Sequence, residues 1–137
     1  WVMPGLVCAH HHLYSALGCG MPSLPDTPTG FADMLAKVWW RLDAALDEAS
    51  MVSSAEVGAV QALRAGVTTI VDHHAPPSFI EGSLEAIDGV LERAGLRRVL
   101  CYEVTDRGGP ERAAAGLEDP LDFKPRPRWP LDELTAA

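Results

Sequence analysis

All five histidines of this 137-residue chain fall in two short clusters, His10-His11-His12 and His73-His74. Near neutral pH an imidazole offers a nitrogen lone pair, so histidine serves as general acid or base and as a ligand for Zn, Fe, Ni or Cu. Spacing decides which residues can act together. On an extended strand, side chains alternate between faces, so His10 and His12 turn to one side and His11 to the other, and the outer two can share one cation. Two such ligands leave most of a coordination shell to be filled from elsewhere. A solvated loop or a tag remnant would also show consecutive histidines, but the apolar run Leu6-Val7-Cys8-Ala9 behind Pro4-Gly5 favours a strand leading into a site. In the second cluster, after Asp72, one of His73 and His74 is expected to face the site as a substrate contact or as a donor to a ligand. The plainer alternative is a polar strand end. Glu103 is the last candidate, a carboxylate that could orient substrate or simply pair with a cation.

These residues need elements to hold them. Leu6 to Ala9 reads as a buried parallel strand ending at the histidines. Residues 18 to 30, dense in Gly and Pro, form the loop that follows it. Phe31 to Glu48 carries apolar residues at helical spacing (Phe31, Met34, Leu35, Val38, Trp39, Leu42, Leu46), which puts Trp39 on the core stripe. A second helix is expected from Ser53 or Ser54 to Arg64, closed by Gly66. Val67 to Val71, β-branched throughout, is a second strand. Ile80 to Ala94 is a third helix closed by Gly95, and Leu96 to Val104 a third strand. Pro110 to Leu117 can start one more helix. The order β, α, α, β, α, β means a parallel sheet whose strand-following loops share one edge, where sites are built. Cys8 and Cys101, inside strands, are expected to be small buried hydrophobes, and Cys19 lies in a loop. Residues 118 to 137, with Pro120, Pro125, Pro127 and Pro130, have neither period and are expected to be an extended, poorly ordered tail.

Composition narrows the partners. Eleven Lys and Arg against 19 Asp and Glu give a net charge of -8, which repels nucleic acid and anionic membrane surfaces. No run of about 18 apolar residues is present to span a bilayer. Three scattered cysteines do not make a disulfide framework, so a cytoplasmic setting is expected. The chain opens on Trp1 rather than Met, which suggests a piece of something longer.

Pro4-Gly5 followed by four residues and His10-His11-His12 resembles the Pro-Gly-x4-His-x-His signature that opens the barrel of the amidohydrolase superfamily. Ala65-Gly66-Val67-Thr68-Thr69-Ile70-Val71-Asp72-His73-His74 is similar to the Gly-x-Thr-Thr second strand of the same enzymes. Trp39-Trp40-Arg41-Leu42-Asp43, Ile80-Glu81-Gly82-Ser83-Leu84 and Cys101-Tyr102-Glu103 resemble the branch holding guanine deaminase, chlorohydrolase-like enzymes and the aminohydrolase associated with selenium metabolism. The likeness covers residues 2 to about 117.

The resemblance implies an α/β fold, the first three β/α units of a (β/α)8 TIM barrel. It also implies His10 and His12 as ligands of a divalent metal, Zn or Fe. The activity implied is hydrolysis of a C–N bond by metal-activated water, on a small-molecule substrate with an amine or amide leaving group. Further ligands in such enzymes come from later strands, and no His follows His74. A whole barrel takes about 250 residues, so this stretch alone is expected to be inactive. Its open strand edge invites self-association. The alternatives are a truncated, non-catalytic β/α fragment or a small metal-binding α/β domain.

Overall fold

The computed structural model describes residues 1–22 and 24–118. Its elements are β1 (Leu6–His11), a 3-10 segment (Leu13–Gly18), α1 (Phe31–Met34), a π-helical segment (Leu35–Trp39) and α2 (Trp40–Ala45). They are followed by α3 (Glu48–Arg64), β2 (Val67–His74), α4 (Ser83–Ala94), β3 (Arg97–Tyr102) and α5 (Pro110–Glu118). The three strands form one parallel sheet in the order β1-β2-β3. This is the parallel α/β sheet that the alternation of periods predicts, and its three strands agree with the barrel opening that the resemblance implies. The expected tail over 118–137 lies, apart from Glu118 in α5, outside the described residues. Among the described residues, no helix is long and apolar enough to cross a membrane.

The core sits on one side of the sheet. Ile70 and Leu100 project from β2 and β3 toward α3 and α4, where Met51, Ala55, Ile87 and Leu91 meet them, all buried. The other side, the lumen side of a barrel, carries Val71, His73, Val99 and Cys101 and is only partly covered. Two expectations change for this reason. β1 is not buried: Leu6 is 52% and Val7 62% exposed, because the strand lies at the sheet's edge. Cys101 is exposed on the lumen side rather than buried, whereas Cys8 is half-buried against the core.

The helix boundaries also move. The helix begun at Phe31 stops at Ala45, three residues short of its expected end, because Leu46 turns extended (φ -78°, ψ 135°). Asp47 then caps α3, so that helix starts at Glu48 and not near Ser53. The Asp47 carboxylate accepts from the Ser50 amide at 2.8 Å and Ser50 Oγ accepts from the Asp47 amide at 3.0 Å, a reciprocal box with Ser where Glu or Gln is usual. Gly66 (φ +80°) and Gly95 (φ +78°) end α3 and α4 in the left-handed region, as their places after the apolar stripes predict. Arg98 of β3 forms a fork–fork pair with Asp88 of α4, both bonds 2.6 Å, and ties strand to helix.

α3 lies very close to the segment that follows β1. A Cβ placed on Gly58 would come within 2.7 Å of Leu13 Cδ2, and Leu13 is fully buried and has nowhere to go. Gly58→Ala is therefore expected to destabilise the fold by about 1–3 kcal/mol despite the better helix propensity of Ala, as read by denaturant unfolding. A variant as stable as the parent would show that the interface can give way.

Candidate metal centre

The carboxyl ends of β1 and β2 run further than sequence patterning suggests, so His10, His11, His73 and His74 stand inside strands rather than after them. Pairing with the neighbouring strand therefore places His11, His73 and His74. Register fixes their faces. Cys8 is paired with Ile70 on the core side, but a register shift lies between Cys8 and His11, and His11 is paired with Asp72. The shift reverses the alternation, turning His11 toward the core side and His10 to the lumen side.

His10 Nε2 and His12 Nε2 approach to 3.0 Å. His12 Nδ1 lies 2.8 Å from the carbonyl oxygen of His73. A carbonyl can only accept, so His12 carries its proton on Nδ1 and presents a bare lone pair on Nε2. The donor set fits a divalent ion such as Zn or Fe, since both Nε2 atoms can reach one ion at metal–nitrogen distances of about 2.0–2.1 Å. The His10–His12 pair is not a complete site. Among the described residues, no group of three or more His, Cys, Asp and Glu side chains is arranged around a common ion position.

His73 and His74 part company, as alternation requires. The His73 ring stacks on His10 (centroids 4.4 Å, 29° between planes) on the lumen side. His74 points into the helix layer, fully buried between Tyr14 and Tyr102. It cannot reach the face that carries His10. Glu103 is exposed and pairs with Arg107 at 3.3 Å, the plainer of the two roles expected for it. An open cleft of about 510 Å³ borders the first cluster and is lined by His10, His12, Ser15, Trp39, Leu42 and Gln61 among others. Trp39 is thus half-buried beside the site rather than sealed in the core.

Two positioning groups are not evident from the motif. Asp72 is fully buried and its Oδ1 accepts from the Leu13 amide at 2.6 Å, pinning the chain one residue beyond His12; His11 Nδ1 lies 3.8 Å from the same oxygen. Asp43, also buried, meets Arg107 Nη1 at 3.3 Å, while Arg107 lies over the Trp40 ring. Burial pushes the Asp43 carboxyl above its ordinary range, with Arg107 opposing. Burial, then the charge of Asp43, pushes the Tyr14 hydroxyl above its own. An acid on the apolar stripe of a helix was the available signal for Asp43; nothing local marks Arg107.

A three-stranded parallel sheet whose first strand ends in a paired His-x-His matches the N-terminal part of an amidohydrolase barrel fold. The chain belongs to the amidohydrolase family, whose model matches residues 1–129. It is 33% identical over 123 residues, 89% of the chain, to 5-methylthioadenosine/S-adenosylhomocysteine deaminase 2 of Archaeoglobus fulgidus. It is 35% identical over 102 residues, 72% of the chain, to 8-oxoguanine deaminase of Pseudomonas aeruginosa. In fold it resembles the zinc complex of atrazine chlorohydrolase from Arthrobacter aurescens TC1, with a TM-score of 0.57 at 24% identity over 72% of this chain and 23% of that one. The chain covers 26% and 22% of the lengths of the two deaminases.

Burial lowers the His74 pKa from 6.5 to about 4. The unfolded chain therefore takes up this proton first as pH falls. Its contribution to stability is complete above about pH 6.5 and is lost progressively down to about pH 4, by roughly 3 kcal/mol. Asp43, shifted upward, acts in the opposite sense, so the comparison must isolate His74. His74→Phe should flatten this acid limb in denaturant melts run from pH 7 to 4. An unchanged pH profile would refute the assignment.

Proposed function

We propose that His10 and His12 are the first metal ligands of a hydrolytic site, and that the protein built around them removes an amine from a small-molecule substrate. The observation that carries this is the 3.0 Å approach of the two Nε2 atoms, with His12 held in the tautomer that leaves its Nε2 bare. A divalent ion there, zinc or iron, would supply the Lewis acidity that brings the pKa of water toward neutrality. The chain's own residues would do the rest. Trp39 and Leu42 give the neighbouring cleft an apolar wall for the body of the substrate. His73, on the same face, is placed to contact it, and Glu103 borders that edge through Arg107. The deaminases among the relatives support deamination over amide cleavage. With two ligands among the described residues, this stretch is expected to bind metal without catalysing turnover.

Isothermal titration of the chain with Zn(II) or Co(II) tests the ligand pair. One ion should bind per chain, and the His10→Ala/His12→Ala double variant should weaken binding by at least about 100-fold, each ligand being worth more than the outer partners that support it. Binding unchanged in the double variant would remove the reading.

A second reading, a non-catalytic β/α piece that persists by pairing its strand edge, is favoured by the exposure of Leu6 and Val7 on β1. It predicts a concentration-dependent dimer or larger species in size-exclusion chromatography with light scattering. A monomer at all concentrations would count against it.

A further inference from the structure

His73 touches both members of the ligand pair by different means. Its carbonyl oxygen takes the Nδ1 proton of His12 at 2.8 Å. Its ring lies nearly parallel to the His10 ring, centroids 4.4 Å apart. His10 is itself exposed at the end of an edge strand, so core packing does not set its ring plane. The His73 ring, by contrast, is held. Register places Cys101 of β3 directly opposite it, and Cys101 Sγ lies 3.3 Å from His73 Nδ1 and 3.5 Å from the carbonyl of Asp72. Partial desolvation at this otherwise exposed thiol, then the charge of Asp72, pushes the Cys101 pKa up.

We propose that His73 is a positioning residue for the metal pair: its carbonyl fixes the tautomer of His12, and its ring, clamped by Cys101, fixes the plane of His10. The inference rests on the reading of His10 and His12 as ligands and adds what makes them competent. A ligating histidine needs its second nitrogen engaged and its ring oriented before the ion arrives, and such partners are typically worth 10- to 100-fold in metal affinity. His12 receives this from a backbone atom. Among the described residues His10 has no such partner for its second nitrogen, and the stack supplies the orientation instead. A direct ligand role for His73 fits less well, because its Nδ1 is turned toward Cys101 and no set of three donors converges among the described residues.

The test uses the full chain, labelled with 15N at histidine, and Co(II) as probe. In the metal-free parent the two-bond 15N–1H pattern should show His12 protonated at Nδ1; protonation at Nε2 overturns the proposal without any variant. His73→Ala keeps the carbonyl and loses the stack, so Co(II) affinity should fall about 10- to 100-fold while the His12 tautomer and the thermal midpoint hold. His73→Phe keeps a flat ring and should stay within about threefold of the parent. Parent-like affinity in His73→Ala overturns the positioning role. So does an equal loss in His73→Phe, which would make Nδ1 itself a ligand. If the parent binds Co(II) no better than the His10→Ala/His12→Ala variant, the ligand reading fails, and this inference fails with it, an outcome distinct from the other two.

Discussion

The site hangs on a buried carboxylate. Asp72, at the centre of the sheet and shielded from water, accepts the amide proton of Leu13, the second residue beyond the end of β1. A backbone donor leaving an edge strand would otherwise go unpaired or find water. A charged acceptor in a low-dielectric setting makes the bond short and costly to break. That bond anchors the 3-10 segment under α3, where Leu13 fills the space left by Gly58, and so sets where His12 stands. Among the described residues the second Asp72 oxygen has no hydrogen-bond partner, and the His11 imidazole is near the first.

Around Asp72 the helix side of the sheet holds several buried polar groups. His74, Asp43, Tyr14 and Ser83 all sit at or near zero exposure. Burial drives the titratable ones toward their neutral forms, and Arg107, which covers Trp40, opposes that shift at Asp43. Such a layer contributes little net stability, but it dictates geometry, because each group tolerates few arrangements. Helix α2 and the loop after β3 are linked through the Asp43–Arg107–Glu103 chain, which joins two stretches that sequence places far apart.

The motifs were legible because they are local. Pro4-Gly5 before an apolar run and the histidines after it read as strand and site, and the structure adds why Gly5 is needed: a Cβ there would lie 2.2 Å from Thr68 Cγ2 of the neighbouring strand. The left-handed glycines 66 and 95 were legible for the same reason. The start of α3 was not, since Asp47-x-x-Ser50 lacks the usual Glu or Gln and lies within a continuous apolar period. The exposure of β1 and Cys101 was not legible from composition either, because an apolar strand reads the same whether or not a neighbour covers it.

The sequence by itself determined the class of fold and the family, and it singled out His10 and His12 as the candidate pair, since period, turn chemistry and residue type are properties of short stretches of chain. Simple alternation also placed His10 with His12, yet for a reason the sequence did not contain. Counted from the core-facing Cys8, unbroken alternation would have put His10 under the helices. Only the register shift between β1 and β2 turns it to the lumen side, and register is a bargain between two strands, not a property of one. The same holds for His73: its carbonyl, its ring and the thiol that clamps it come together through pairing across three strands, so its connection to the pair is a fact of tertiary structure alone.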